Sequence, residues 1–397
     1  MTARGALRAR LLGEANWPSL SRAFVATLPS IALLVLTGDH RWLATAAFVS
    51  ICAAIVEERL ALTLQGVLLH GAAIMLGFTI FVAVASRSGL FVALCACMAG
   101  ASVCLTARGK HLRSLGNFTF LPSLYLANEA LEHAAAQGLA VHPVSEAFYI
   151  AAGLMPVAAL ALGRQLASRP TPASSPRRQL ALIRLSRTSD YGERRSVIGT
   201  CLTIVCSVAL AAILVKWRSF GHGQWVIWSS ASVVTGKIET ARTKMHARTV
   251  GAAVGVPIGV LVGLALPRSA MVCDASLIAG LFTLVAFRRY IIGFGMRCAF
   301  IAVALTAGGN STLASGERIL DVLLGGMIGW TCVLVARSIS QWTSGHVAGV
   351  APGVSREPGS GCDKGYAAVS VVVLRASPPT NSHRKCGERH GRDRVDG

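Results

Sequence analysis

The sequence predicts an all-α membrane protein of about twelve transmembrane helices, arranged as two six-helix halves. Three observations carry that expectation. Of 397 residues, 53% are hydrophobic and only 14% charged, against about 25% charged in soluble globular domains; the mean hydropathy is +0.57. The apolar residues gather into long blocks of roughly 15–25 residues, the length a helix needs to cross a bilayer, whereas membrane-barrel strands alternate over about ten residues. The charged residues fall mostly between those blocks, in a pattern that fixes an orientation.

The blocks run in order at 23–37, 42–56, 61–85, 89–106, 118–136 and 147–163, then at 197–215, 223–236, 249–266, 270–287, 290–308 and 317–337. The first follows Arg4, Arg8, Arg10 and Arg22 and ends at Leu36-Thr37-Gly38-Asp39 with no small-residue cleavage site. It therefore reads as an uncleaved first span rather than a signal peptide. Blocks 118–136 and 223–236 are the least apolar of the twelve. Five segments follow: a cytoplasmic N-terminus (1–22), a first membrane half (23–163), a linker rich in Arg, Pro and Ser (164–196), a second membrane half (197–338), and a basic tail (339–397). The tail's one apolar run, Ala367–Leu374, is too short to span, so the tail is expected to be disordered.

The formal charge is +20, from 38 Lys and Arg against 18 Asp and Glu. In a soluble protein that excess points to nucleic acid. Here it is explained by topology, and no nucleic-acid partner is expected. With the N-terminus inside, the inner segments hold twenty-two basic residues and the outer ones five, Arg41, Arg87, Lys216, Arg218 and Arg268. That asymmetry is the positive-inside pattern. It places both termini of the multi-pass chain in the cytoplasm, with the helices in contact with lipid. Nine of the eleven cysteines lie in apolar blocks and no C-x-x-C pair occurs, so they read as packing residues rather than disulfide or zinc sites.

The halves look related. A shift of 183 residues maps Trp42 onto Trp225, each opening a block after a polar outer turn, and Arg59 onto Arg242. Six spans per half give both the same orientation, a parallel repeat about an axis along the membrane normal.

Several residues stand out. Gly251, Gly255, Gly259 and Gly263 recur every fourth position on one helix face, read either as a close helix–helix seam or as a surface on which bundles slide. Pro257 in the same run is a candidate local break. Arg242, Lys244 and Arg248 precede that run, read either as topology anchors or as a cationic funnel for an anion at the inner mouth, helped by a helix N-terminus. Trp225 and Trp228 are interfacial anchors or an aromatic-accepting surface. Arg297 sits inside an apolar block, where an ionisable residue is a functional suspect. Arg318 and Asp321, three apart, can pair on one helix face. Asp274 lies at the outer start of its block. Glu129, Glu132 and His133 share a helix face, as proton-coupling candidates or as a solvated helix end; no second ligand pair makes them a metal site.

The chain has no Gly-x-x-x-x-Gly-Lys-Ser/Thr loop, no His-Glu-x-x-His and no Gly-x-Ser-x-Gly. No enzyme activity, cofactor or metal is expected.

The run Arg248-Thr249-Val250-Gly251-Ala252-Ala253-Val254-Gly255, downstream of the block Gln224–Val234 with Trp225, resembles the fusaric acid resistance protein-like integral membrane transporters. Glu317-Arg318-Ile319-Leu320-Asp321-Val322-Leu323-Leu324-Gly325 is similar to that family's Arg-x-x-Asp-x-x-x-Gly segment opening the last span, through Arg318, Asp321 and Gly325. Ala252 stands where the family usually has Thr, and the first half has Gln65-Gly66 where Arg248-Thr249 would map. The resemblance implies export of aromatic carboxylic acids and related organic anions across the bacterial inner membrane; with no nucleotide-binding motif in the sequence, membrane potential or protons are the expected drive. It also implies a periplasmic adaptor for some members. The alternatives are a channel-like anion facilitator and a non-transporting membrane scaffold in envelope assembly. Self-association is left open.

Overall fold

The computed structural model describes residues 14–108, 112–167, 191–218, 220, 222–234, 238–309 and 312–349. Among them are twelve α-helices: α1 (Trp17–Thr37), α2 (Phe48–Leu60), α3 (Leu64–Val84), α4 (Ser88–Cys104), α5 (Leu112–Gln137), α6 (Pro143–Ala167), α7 (Tyr191–Arg218), α8 (Gln224–Val233), α9 (Ile238–Ala265), α10 (Ala270–Ala286), α11 (Tyr290–Ala307) and α12 (Thr312–Gly349). A π-helical stretch, Trp42–Ala47, leads into α2 without a break. The chain is a multi-pass helical membrane protein.

Among the described residues seven helices are long and apolar enough to cross a membrane: α1, α3, α6, α7 from Val197, α9, α11, and α12 over Gly316–Trp342. The apolar helices α4 and α10 have 17 residues each. At 1.5 Å per residue they reach about 26 Å, just under a hydrocarbon core of about 30 Å. The ten residues of α8 reach about 15 Å. The expected count of twelve full spans is therefore reached as twelve helices, seven of them of spanning length.

Each of the twelve blocks falls on a helix, but helices overrun blocks. α9 begins at Ile238 rather than 249, α7 at Tyr191 rather than 197, and α12 runs to Gly349 past the expected boundary at 338. Hydropathy marks the part of a helix that sits in lipid. Arg, Lys and Glu are good helix formers, so a helix continues into its charged end until the chain punctuates it. Gly38 does so for α1 with φ +68° and its N–H on the Leu34 carbonyl at 2.8 Å. Thr63 and Ser269 start α3 and α10 by accepting from the Gly66 and Val272 N–H groups. α9 is continuous through Pro257, which faces away from its packing partner. The linker over 168–190 and the tail beyond 349 lie outside the described residues.

Packing repeats from one half to the other. The third helix lies on the fifth, α3 on α5 and α9 on α11, and the fourth also meets the fifth, α4 on α5 and α10 on α11. The sixth meets the second at a glycine: a Cβ on Gly153 would fall on the Ala46 carbonyl, and one on Gly325 on the Val226 carbonyl. The first six helices and the last six meet chiefly through α4 on α7 and α1 on α10, with smaller contacts of α5 on α8 and α2 on α10. In both of the chief contacts the fourth helix of one set of six lies on the first helix of the other. The glycine stripe is a seam: Gly251, Gly255, Gly259 and Gly263 meet Phe294, Gly295, Ala299 and Thr306 of α11. Without a hydrophobic drive between helices in lipid, such close approach is what holds them.

Candidate functional site

Where α2 faces α11 the halves stand apart, and a cavity of about 980 Å3 lies between them. Its walls come from the π-helical stretch and α2, α5, α8, α10, α11 and α12. Its rim includes His40, Phe220, His222, Arg268, Ser269 and Gly309. These residues belong to the connections after α1, α7, α9 and α11, so the cavity reaches the end of the bundle where those four turns meet.

The cavity brings together Trp225, Arg297, Arg318, Asp321 and Glu129 of the residues singled out in the sequence, with Trp228 and Asp274 beside them. Arg297 lies seven residues into α11, about 10 Å along it from its start. Its Nε donates to Thr283 Oγ1 of α10 at 3.1 Å, and that hydroxyl donates to the Gly280 carbonyl at 2.6 Å. The arginine is thus held by a neutral partner, and no carboxylate pairs with it among the described ion pairs. The seam between α9 and α11 sets its depth, because each glycine fixes the height of α11.

Arg318 and Asp321 form no described ion pair with each other. The Arg318 guanidinium lies 3.8 Å over the Trp225 ring, and Trp225 stacks on Trp228 at 5.2 Å with 13° between planes. Guanidinium and two indoles make a layered wall. Asp321 is buried below it. Tyr125 lies 6.3 Å from the Trp225 ring, the two planes tilted.

Glu129 lines the cavity, whereas Glu132 binds His222 at 3.2 Å and His133 meets the Gln137 amide at 2.9 Å. The bond to Glu132 raises the pKa of His222 above its ordinary value, against the lowering effect of burial and of Arg318. In the turn after α1, burial alone would raise the Asp39 carboxyl. Hydrogen bonds from Arg41 and Tyr149 outweigh it and hold the group at about 2.

Arg242, Lys244 and Arg248 lie on the first half of α9, at the opposite end of the bundle, and line no part of this cavity. Arg242 is exposed. Arg248 is 3% exposed: it donates to Ser229 of α8 at 3.2 Å and Tyr290 of α11 at 3.0 Å, and lies over Phe294 at 4.5 Å. It pins α9 to two neighbours. Gly325 lets α12 settle on α8 and so positions the Trp225 wall.

Sequence reasoning singled out neither His40 nor Thr283. His40 Nδ1 meets Asp274 Oδ1 at 3.1 Å. The signal for it was its place in the outer turn that the 183-residue shift sets beside His222.

Residues 208–332 match the model of the family described as fusaric acid resistance protein-like. The matched stretch contains Trp225, Arg248, Arg297, Arg318, Asp321 and Gly325 and runs from within α7 into α12. Comparison with curated proteins and with solved structures gave no match.

Proposed function

We propose that the protein, whose residues 208–332 match the fusaric acid resistance protein-like family model, exports small organic anions, foremost aromatic carboxylates, through the cavity between its halves. The carrying observation is Arg297: a guanidinium within an apolar helix, lining a cavity and bonded, among the described residues, to a neutral hydroxyl. A fixed cation without a fixed counter-anion is suited to a carboxylate, which it takes bidentately. The Trp225–Trp228 stack and the apolar wall of α10 supply the surface for an aromatic ring.

Four groups divide the work. Arg297 receives the carboxylate at depth, and Thr283 fixes the plane of its guanidinium. Arg318 stands nearer the rim and offers the anion a second cation on its way out. Asp321 and Glu129 keep the net positive charge small, so the anion is held without being trapped. The positive-inside asymmetry puts the cavity rim outside and Arg242 and Lys244 at the cytoplasmic face. The membrane potential then drives each exported charge by roughly 2.3 kcal/mol per 100 mV.

The test is efflux of labelled 4-hydroxybenzoate from cells lacking the gene, restored with wild type or with Arg297→Gln at equal membrane abundance. Losing a charge-assisted pairing of about 1.5–3 kcal/mol predicts efflux slowed roughly ten- to a hundredfold. Wild-type efflux no faster than that of the unrestored strain, across a panel of aromatic and aliphatic acids, overturns the reading.

A further inference from the structure

The cavity rim carries two histidine–carboxylate pairs whose histidines fall one position apart under the 183-residue shift, with their acids on different helices, α10 and α5. His40, in the turn before the π-helical stretch of the first half, meets Asp274 on α10 of the second half, Nδ1 to Oδ1, at 3.1 Å. His222, in the turn before α8 of the second half, meets Glu132 on α5 of the first, Nδ1 to Oε2, at 3.2 Å. The 183-residue shift sets His40 one position from His222. Each pair ties the turn that precedes the second helix of one half to a helix of the other, and His40, Asp274 and His222 line the cavity itself.

The opposite end of the bundle is joined by different chemistry. There the Asn16 N–H donates to the Ala286 carbonyl at 2.8 Å, the Arg288 N–H to the Glu14 carbonyl at 2.9 Å, and Arg289 pairs with Glu14 at 2.9 Å. Backbone amides and an arginine do not titrate near neutral pH. At the rim end the tie away from the cavity is a lysine, Lys216 Nζ donating to the Ala85 carbonyl at 2.9 Å. Imidazole alone changes charge between about pH 5 and 8, and both cross-half carboxylate pairs at the mouth use it, whereas the neighbouring bond from Asn128 Nδ2 to Gln224 Oε1 at 3.4 Å is neutral.

We infer that His40–Asp274 and His222–Glu132 are two clasps on the mouth of the cavity and that the second is set by a proton: its presence on the His222 imidazole draws the halves together there, and its loss lets the mouth widen. This rests on the reading of the cavity as the substrate path. Around His222 the charged groups are Glu129 and Glu132 on α5 and Arg318 and Asp321 on α12. Around His40 they are Asp39 and Arg41 in its own turn, Glu146 on α6, Asp274 on α10 and Arg268 across the mouth. The carboxylates at His222 favour its charged form. Its clasp is complete below the ordinary histidine value near 6.5 and opens as pH rises through a higher one. An anion leaving into an acidic exterior would find the mouth held narrow, and one leaving into a neutral exterior would find it released.

Cys273 lines the same cavity and reports on the mouth. The full-length protein in lipid nanodiscs is alkylated with iodoacetamide from pH 5.5 to 8.5, and modification of Cys273 is followed by peptide mass spectrometry in wild type and in His40→Gln/His222→Gln. The ratio of variant to wild-type rate cancels the thiol's own titration. The clasps predict a ratio of at least threefold at pH 5.5, falling toward one at pH 8.5. A ratio constant across the range, whatever its value, overturns them. Cys298, 3% exposed, checks the fold: it stays unmodified in an intact variant. If the double variant modifies it, the single variant His222→Gln is scored by the same criterion. No transport enters this readout, so a flat ratio refutes the clasps alone, and absent efflux refutes the export reading alone.

Discussion

Arg297 and Thr283 are joined across α11 and α10 by a 3.1 Å bond from Nε to Oγ1, and both residues sit in apolar helices. The bond uses the one nitrogen of the guanidinium that is not part of its terminal fork. Thr283→Val keeps the shape and removes the acceptor, so it leaves the charge in place but frees its orientation. A hydrogen bond from a charged group contributes about 1.5–3 kcal/mol, so the apparent affinity for an aromatic carboxylate falls roughly ten- to a hundredfold. Quenching of Trp225 and Trp228 fluorescence by titrated benzoate derivatives measures it. Equal affinity in wild type and Thr283→Val shows that the bond does not orient the site.

The glycine seam separates positions that look alike in sequence. A Cβ on Gly255 would fall on the Gly295 carbonyl oxygen and one on Gly259 on the Ala299 carbonyl, both backbone atoms that cannot swing aside. A Cβ on Gly199 or Gly163 would meet nothing within 4 Å. Gly255→Ala and Gly259→Ala push α9 off α11 and cost about 1–3 kcal/mol by overpacking. Gly199→Ala is neutral or stabilising by up to about 1 kcal/mol, since alanine is the better helix former. Thermal unfolding in one detergent ranks them, and a Gly255→Ala protein as stable as Gly199→Ala would show the seam to be loose.

That seam was legible in the sequence because spacing four places residues on one helix face whatever lies opposite. The membrane class and the position of every helix were legible for a similar reason: lipid demands long apolar blocks, and composition shows them. Helix ends were not, because the charged turns of α9 and α12 leave the apolar block while remaining helical. Arg297 and Arg318 stood out as charges in apolar surroundings. Their surroundings did not, since Thr283, Glu129 and Trp225 are brought to them by packing between helices distant in sequence. Arg242, Lys244 and Arg248 looked alike as a cationic run, but a helical turn of 3.6 residues points Arg248 inward and Arg242 out.

From that divergence comes a difference in what each arginine does. Arg248→Ala removes the bonds to Ser229 and Tyr290 and the packing over Phe294, and leaves two hydroxyls to find other partners. With a hydrogen bond from a charged group contributing about 1.5–3 kcal/mol, the variant loses stability and membrane abundance. Arg242→Ala, at an exposed position, changes neither by more than about 0.5 kcal/mol. Lysine at 248 keeps the charge but cannot reach both hydroxyls from a planar fork, so Arg248→Lys recovers little of the loss. Full recovery by lysine, measured by thermal unfolding, would make the residue a simple charge anchor.

The two halves can be stapled without a designed residue. Cys104 Sγ of α4 and Cys201 Sγ of α7 lie 3.5 Å apart, and the Cys201 thiol also points to the Gly100 carbonyl at 3.7 Å. A disulfide requires about 2.0 Å between sulfurs, a small approach for two side chains on adjoining helices. Oxidation by copper phenanthroline and oxygen takes one hydrogen from each thiol and forms the bond between them. Peptide mass spectrometry then detects Cys104 linked to Cys201, and Cys104→Ser abolishes the product. The α4–α7 contact lies away from the cavity and carries the Gly100–Val205 approach, so it is the side about which the halves pivot if the mouth is the side that opens. A staple there should preserve efflux of aromatic acids, with reduction by dithiothreitol changing the rate less than twofold. Efflux lost on oxidation and regained on reduction would place the moving interface at α4–α7 and the pivot at α1–α10.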